Sequence, residues 1–81
     1  KLPERGYFEK GDGYLTLLDF NKEIKKLQNF LNWCLSLSLD EDGKYGDDTA
    51  SAVKEYESLY SLKIDGKFGN KCLTQAKKVK K

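Results

Sequence analysis

The sequence has no histidine and only two cysteines, Cys34 and Cys72, among its 81 residues. A structural zinc site needs four nitrogen or sulfur ligands, so two thiols alone cannot form one. The missing histidine also removes the side chain that most often transfers protons in enzymes. A disulfide would be compatible with two cysteines, but Cys34 lies on the apolar stripe of a predicted helix, which favours a buried free thiol.

Long apolar stretches are absent as well. No run approaches the roughly 20 residues that span a membrane, so no membrane partner is expected. The opening residues Lys1–Arg5 are not followed by the apolar stretch of a signal peptide. Hydrophobic residues make up 38% of the chain and charged residues 35%. This composition predicts one domain with a single small core and a charged surface.

Acidic residues are scarce at the end of the chain, where residues 63–81 carry seven lysines and only Asp65. Residues 1–62 carry eight basic and twelve acidic groups, so the net charge of +2 divides into −4 and +6. A basic end could meet an anionic polymer. We favour the plainer interpretation, a solvated last helix with a lysine-rich end, because cations are common where helices end.

Hydrophobic periodicity predicts three helices. The first covers about residues 22–35, because four apolar residues repeat at three- and four-residue spacing: Ile24, Leu27, Leu31 and Cys34. Asp19 or Asn21 would cap this helix. The second helix covers about residues 47–60 and the third about residues 70–79, with Asp47 and Asn70 as the expected N-caps.

Residues 1–20 are predicted to form an ordered N-terminal arm or linker that packs on a domain at residues 21–81. The arm is too rich in glycine for a helix and too rich in apolar residues for a pure linker. The breaking glycines are Gly6, Gly11 and Gly13, and the apolar residues are Tyr7, Phe8, Tyr14, Leu15, Leu17, Leu18 and Phe20.

An internal duplication is the most informative pattern in the chain. The segment DGKYGDDT at residues 42–49 recurs 23 positions later as DGKFGNKC at residues 65–72. Each copy has an Asp-Gly turn, an aromatic residue, a second glycine and then the start of a predicted helix. The domain is therefore predicted to be an all-α, three-helix bundle with a degenerate two-fold internal repeat.

Leu27-Gln28 in the first helix, followed by the two DGxxG turns, resembles the peptidoglycan-binding domain family of bacterial cell-wall hydrolases. The likeness covers about residues 19–80. Three further segments resemble the C-terminal modules of clostridial and phage endolysins and autolysins: RGYF at residues 5–8, FLNW at 30–33 and the closing AKKVKK at 76–81. The sequence departs from the family pattern at three positions in particular, with Glu57 in place of a usual glutamine, Cys72 in place of threonine or serine, and no glycine within residues 34–36. A buried Glu57 would need hydrogen-bond donors or a raised pKa.

The resemblance implies a non-catalytic module that binds peptidoglycan and carries a linked hydrolase, an amidase or lysozyme, to the cell wall. The expected partners are the glycan and stem peptide of the wall, together with an upstream catalytic domain in the same chain. Neither a cofactor nor a metal is expected. Such a module would act outside the cell, at the wall, after secretion or release by a phage. The alternative is a protein-interaction or dimerisation module that uses exposed aromatic residues as its contact patch.

Three other functions fit the residues less well. The carboxylates at residues 40–48 lie in a turn and at a helix start, where acids are expected without catalysis. An EF-hand alignment on Gly43 puts Ser38 first and Thr49 twelfth, so both essential acidic ligands of a calcium site are lost. A nucleic-acid partner is not expected, because the helices hold few residues that read bases and the rest of the chain is acidic.

Wall binding would use aromatic faces for sugar rings and polar groups for N-acetyl and peptide groups. Helix starts at residues 47 and 70 would offer free N–H groups to a stem-peptide carboxylate. The predicted binding residues belong to the two turns, to aromatic side chains and to the start of the third helix: Trp33, Asp42, Gly43, Lys44, Tyr45, Tyr56, Tyr60, Asp65, Gly66, Lys67, Phe68 and Asn70.

Overall fold

The computed structural model describes residues 6–14 and 18–79, and these form three helices and one short antiparallel ladder. In chain order the elements are β1 (Tyr7–Phe8), α1 (Leu18–Leu35), α2 (Asp47–Leu59), β2 (Phe68–Gly69) and α3 (Asn70–Ala76). The prediction of a small all-α domain with three main helices is confirmed.

The helix bounds differ from the predicted ones mainly at their ends. Helix α1 begins at Leu18 rather than near residue 22, and α3 ends at Ala76 rather than near residue 79. Helices α1 and α2 are each followed closely by a residue in the left-handed region, Ser36 with φ 55° and Ser61 with φ 57°. A left-handed residue cannot continue a right-handed helix, so these serines mark where the chain turns away.

The predicted N-caps are wrong by one position. Gly46 and Gly69 occupy the cap positions of α2 and α3 in extended conformation, and neither helix has a side-chain cap hydrogen bond. Asp47 is therefore the first helical residue of α2, where its negative charge still suits the helix dipole. Its carboxylate forms an ion pair with the ammonium group of Lys10, which raises the pKa of Lys10 and lowers that of Asp47.

Neither predicted cap of α1 lies at its start, because the helix begins before both Asp19 and Asn21. The Asn21 side chain has another role. Its Nδ2 donates to the carbonyl oxygens of Gly13 at 2.8 Å and Gly43 at 2.9 Å. Asn21 thus joins helix α1 to the arm and to the first turn.

The core forms where the inner faces of the helices meet the two turns and the arm. The predicted stripe of α1 is confirmed, with Ile24, Leu27 and Leu31 buried and Cys34 partly buried. The remaining core residues come from every other element and from the turns: Phe8, Tyr45, Ala52, Val53, Tyr56, Phe68 and Cys72. Both cysteines are free thiols, and of the two it is Cys72 that is fully buried.

The N-terminal arm crosses both turns. The backbone N–H of Gly11 donates to the Tyr45 carbonyl at 2.8 Å, and the N–H of Tyr45 donates to the Asp12 carbonyl at 2.9 Å. Nearer the start of the arm, the ladder between β1 and β2 pairs Phe8 with Phe68. An ordered arm is therefore present at residues 6–14, while a domain boundary at residue 20 stays a prediction. The arm residues at 15–17 and the segment at residues 1–5 lie outside the described part.

Candidate functional site

The two Asp-Gly turns have the same local geometry. Gly43 and Gly66 both lie in the left-handed region, with φ of 78° and 73°. In each turn an aspartate Oδ1 accepts the backbone N–H two residues later: Asp42 from Lys44 and Asp65 from Lys67, both at 2.9 Å. The duplication seen in the sequence is thus a duplication of structure.

Gln28 of helix α1 holds the first turn from below. The side chain is 1% exposed, and its Oε1 accepts the N–H of Gly43 at 3.0 Å. Its Nε2 faces the carbonyl of Lys44 at 3.0 Å and Oγ1 of Thr49 at 3.1 Å, and also reaches Oδ1 of Asp42 at 3.2 Å. One buried amide therefore joins α1, the turn and the first turn of α2.

Glu57 of helix α2 holds the second turn in the same way. It is 2% exposed, and its Oε1 accepts the N–H groups of Gly66 at 2.9 Å and Asp65 at 3.2 Å. Its Oε2 accepts from Sγ of Cys72 at 3.5 Å. Burial, and then the nearby carboxyl of Asp65, raise the pKa of Glu57 above its ordinary value. From the sequence we expected a buried Glu57 to have either hydrogen-bond donors or a raised pKa, and the structure has both.

Three of the predicted binding aromatics belong to the core. Tyr45 and Tyr56 are 0% exposed and Phe68 is 5% exposed, so none of the three presents a ring face to a ligand. The two tyrosine hydroxyl groups are used internally, because Tyr45 donates to the carbonyl of Gly66 at 2.7 Å and Tyr56 to that of Cys72 at 3.1 Å. Burial raises the pKa of both tyrosines. As direct ligand contacts, these three predictions are corrected.

Trp33 and Tyr60 lie away from the turns. The Trp33 side chain is 47% exposed, with its ring 6.1 Å from that of Phe30. The Tyr60 ring is half-buried at 5.0 Å from that of Tyr56, and its hydroxyl lies 3.8 Å from Sγ of Cys34. The structure does not bring either residue to the duplicated turns.

A cleft opens beside each turn. The first has a volume of about 290 Å³ and the second about 490 Å³. The first, which we call the aspartate cleft, is lined by Tyr14, Gln28, Leu39, Asp40, Asp42, Lys44, Gly46, Asp47, Asp48 and Thr49. The second, which we call the lysine cleft, is lined by Gly6, Tyr7, Glu57, Leu62, Lys63, Asp65, Lys67, Gly69, Asn70, Lys71 and Cys72.

Five of the predicted site residues line these clefts: Asp42, Lys44, Asp65, Lys67 and Asn70. Gly43 and Gly66 are buried in the turns that shape them. The backbone N–H of Lys44 lowers the pKa of Asp42. Burial tends to raise the pKa of Asp65, but the N–H of Lys67, the Glu57 carboxyl and the nearby lysines outweigh it and lower that pKa. Both turn aspartates are therefore ionised at neutral pH.

Sequence reasoning missed the contribution of the arm to each cleft. Tyr14 is 57% exposed, and its hydroxyl lies 2.6 Å from the place that a Cβ on Gly46 would occupy. A side chain at position 46 would therefore displace the exposed end of Tyr14, while the φ of Gly46 is an ordinary −99°. Tyr7 lies beside the second cleft, with the Nζ of Lys67 5.0 Å from its ring centroid. The arm has no repeat of its own, so the sequence carried no signal for these two positions.

Two absences hold for the part of the chain that the structure describes. No group of three or more His, Cys, Asp or Glu side chains there is arranged to hold a metal ion. None of the helices within it has the length and apolar character needed to cross a membrane.

The family follows from a comparison with known proteins. Residues 21–75 match the model of a family described as "Putative peptidoglycan binding domain". This match covers more than half of the chain and includes both turns, all of α2 and most of α1. The chain therefore belongs to the peptidoglycan-binding domain family. A comparison with curated proteins gives no match.

The fold is similar to part of a crystal structure from Clostridium acetobutylicum ATCC 824. That protein is described as a fused Zn-dependent amidase/peptidase/peptidoglycan-binding domain-containing protein. The TM-score is 0.75 at 20% sequence identity, and the likeness covers 93% of this chain and 30% of that one. At this identity the comparison shows a shared fold. The chain spans less than a third of the length of that protein.

Proposed function

We propose that this domain attaches a linked peptidoglycan hydrolase to the bacterial cell wall by noncovalent binding at the two clefts. The observation that carries the proposal is the pair of clefts built on the duplicated turns of a peptidoglycan-binding fold. The similar clostridial protein joins a peptidoglycan-binding domain to an amidase/peptidase, which supports a linked hydrolase here. The site of action would be the wall, outside the cell.

The clefts suit a polymer that carries sugars and short peptides. Each has polar groups around it and one arm tyrosine, Tyr14 or Tyr7, whose ring can pack on the C–H face of a sugar. Clefts of a few hundred Å³ match the size of small-ligand sites in general. Weak binding at such a site is enough, because tethering to a repetitive polymer raises the local concentration of the hydrolase at its substrate.

The carboxylates of the clefts support binding rather than catalysis. A general acid needs a raised pKa and access to the substrate. Asp42 has a lowered pKa because it accepts the N–H of Lys44. Glu57 has a raised pKa but is 2% exposed, and its oxygens accept from the turn beneath the cleft. We therefore propose that this domain is not an enzyme.

Co-sedimentation with purified cell walls tests this proposal. We expect the domain to sediment with the walls and the Tyr14→Ala variant to lose about fivefold in affinity, the effect of one exposed aromatic contact. Trp33→Ala is the matched control, since Trp33 is a comparably exposed aromatic away from both clefts. A wild-type domain that stays in the supernatant would contradict wall binding. A loss confined to Trp33→Ala would place the binding surface on α1 instead.

The alternative function, a protein-interaction or dimerisation module, is favoured by exposed apolar side chains away from the clefts. Trp33 is 47% exposed, Leu59 60% and Ile64 57%. Exposed apolar side chains of this kind would favour contact between two copies as the concentration rises. Sedimentation of the domain at increasing concentration separates the alternatives, because a wall-binding monomer keeps one mass throughout.

A further inference from the structure

The two clefts are duplicates in position but opposite in charge. With the 23-residue offset of the repeat, Asp40 corresponds to Lys63 and Asp48 to Lys71. The turn residues keep their types, since both clefts have a turn aspartate and a turn lysine. The reversal is therefore found at the positions that flank each turn. The duplication conserves the shape of the cleft and changes what it attracts.

The net charge of each cleft follows from its lining side chains. The aspartate cleft has four aspartates against Lys44, and Lys10 pairs with one of them, Asp47, which leaves two negative charges in excess. The lysine cleft has three lysines against Asp65 and Glu57, and Glu9 lies 4.0 Å from Lys67 just outside the lining. With Glu9 counted, the net charge of this cleft is positive when Glu57 is protonated and zero when Glu57 is ionised. The oxygens of Glu57 accept hydrogen bonds from Gly66, Asp65 and Cys72. The Glu57 carboxyl therefore bonds within the protein instead of facing a ligand.

The lysines of this cleft are available to a ligand. Within residues 6–14 and 18–79, Lys63 and Lys71 form no salt bridge, and both are exposed. Lys67 has weak partners only, the carboxylate of Glu9 at 4.0 Å and the ring of Tyr7 at 5.0 Å. Ammonium groups without a close carboxylate attract anions into a concave site, where the field is focused.

We propose that the lysine cleft binds a free carboxylate group of a peptidoglycan stem peptide, and that the aspartate cleft rejects the same group. The inference rests on the proposed function and adds to it the chemical class of the ligand at one cleft. Charge complementarity selects the occupant, because the uncharged sugars of the glycan carry no negative charge that could pair with the lysine ammonium groups. Like charges in the aspartate cleft act as the repulsive element that fixes the orientation of the peptide.

The cleft also fits the rest of a peptide end. Its volume of about 490 Å³ is large enough for several atoms beyond the carboxylate. Asn70 supplies an amide that can donate or accept beside the lysines, and Leu62 supplies an apolar contact. A carboxylate at the lysines would thus leave the preceding peptide groups against the arm and the start of α3.

The test is a binding titration of the whole domain with two synthetic stem peptides, one ending in a free carboxylate and the other in a carboxamide. We expect the acid to bind about tenfold more tightly than the amide at low salt, the effect of charge-assisted contacts from exposed lysines. The preference should shrink as salt is added, because exposed charges are screened. Equal affinities for acid and amide would overturn the proposal.

Charge reversal in the lysine cleft supplies the second arm of the test. Lys63→Glu/Lys71→Glu gives this cleft the sign of the aspartate cleft, and we expect it to abolish the preference for the acid. The matched control is Lys22→Glu/Lys25→Glu, which makes the same change in net charge at two exposed positions of α1. An equal loss in the control would show a general charge effect and overturn the assignment. Circular dichroism and thermal unfolding establish that each variant is folded.

A cell wall also contains anionic phosphate polymers, so a separate experiment is needed to identify the source of the anion. We expect the Lys63→Glu/Lys71→Glu variant to lose binding to walls stripped of those polymers as well as to intact walls. If the loss appears only with intact walls, and stem peptides bind unchanged, the carboxylate assignment is wrong. In either case wild-type binding to stripped walls stands as separate support for the proposed function. A wild-type domain that binds no wall at all would sink the proposed function itself.

Discussion

The two turns of this domain are held by different chemistry in the same geometry. Gln28 holds the first with an amide that both accepts from Gly43 and donates to Lys44. Glu57 holds the second with a carboxyl that accepts from Gly66. An ionised carboxylate has no proton to donate, so Glu57 cannot replace the Nε2 donor of Gln28. The single thiol proton of Cys72 can go either to Oε2 of Glu57 at 3.5 Å or to the carbonyl of Lys67 at 3.7 Å.

The difference shows how a duplicated motif can diverge without losing its shape. In the first turn the hydrogen bonds between Gln28 and the backbone groups of Gly43 and Lys44 do not depend on pH, because neither an amide nor a backbone group titrates. In the second turn the best match to the Gln28 pattern arises when Glu57 is protonated, since its hydroxyl can then donate as the Nε2 of Gln28 does. The second turn is therefore the one whose stability should respond to pH and to substitution toward the other copy.

The largest expected effect comes from giving the first turn the side chain of the second. Gln28→Glu removes donors to Lys44 and Thr49 and puts a carboxylate where Nε2 lay 3.2 Å from the Asp42 carboxylate. We expect a loss of about 3 kcal/mol in the free energy of unfolding at pH 7, as for other buried charges without a partner. Urea unfolding measures it. A loss below about 1 kcal/mol would mean that the first turn tolerates a carboxylate as the second does.

Adding a methyl group to the two turn glycines should have unequal effects. Gly43→Ala and Gly66→Ala both force alanine into the left-handed region, at a cost of about 1–2 kcal/mol each. The new Cβ at position 43 would lie 2.8 Å from the backbone oxygen of Asn21, whereas at position 66 it would lie 3.1 Å from the flexible end of Lys54. We therefore expect Gly43→Ala to cost about 1 kcal/mol more than Gly66→Ala. Equal costs in urea unfolding would contradict this account.

Glu57→Gln makes the second turn like the first and should stabilise the protein at neutral pH. The pKa of Glu57 is raised above its ordinary value of 4.5, so the native state binds the proton more tightly than the unfolded state. The stability contributed by protonated Glu57 is fully present below pH 4.5 and is lost as the pH rises through the raised pKa. We expect the Glu57→Gln substitution to remove this loss of stability at rising pH. The free energy of unfolding at pH 7 should then be higher by about 1 kcal/mol.

Urea unfolding of the wild type and the Glu57→Gln variant between pH 4 and pH 8 measures this effect. The two stability curves should converge at the acidic end and separate as the pH rises. Asp47→Asn is a suitable control, because Asp47 lies on the surface and has a lowered pKa. Its ionised form stabilises the folded state, so the substitution should lower the free energy of unfolding at neutral pH instead of raising it. Parallel curves for the wild type and Glu57→Gln would show that Glu57 does not titrate in the folded protein over this range.

The smallest effect is a difference in reactivity with no change in stability. Cys72 lies where the first turn has Thr49, is 3% exposed, and has a pKa raised to about 12 by burial. Cys34 is a partly buried free thiol on α1. At pH 8 we expect iodoacetamide to modify Cys34 about 100-fold faster than Cys72. Mass spectrometry of the two cysteine peptides follows the reaction, and equal rates would mean that the second turn opens readily.

Much of this fold could be predicted from the sequence because its signals are local. The apolar stripe of α1 repeats at helical spacing, and the two DGxxG segments mark where α2 and α3 begin. The caps were misplaced because aspartate and asparagine are common caps, whereas Asp47 and Asn70 are already helical and the preceding glycines take the cap positions. A contact between the arm and a turn more than 30 residues later leaves no local pattern.

The site was harder to predict than the fold. Tyr45 and Phe68 follow exposed turn residues, and nothing in that local pattern states that their rings point into the core, where Phe68 packs with Tyr56. The charge reversal between Asp48 and Lys71 is visible in the sequence once the 23-residue offset is applied. The sequence alone does not show that both positions line a cleft. Only the three-dimensional structure shows this, and it links the charge reversal to ligand binding.

An NMR titration of the domain with soluble peptidoglycan fragments tests wall binding at the two clefts, because it reports binding and location together. We expect the largest amide shift changes at residues 65–71 and smaller ones at residues 42–48, with no change on the exposed face of α1 around Trp33. Shift changes centred on α1, or none anywhere at saturating fragment, would contradict this expectation.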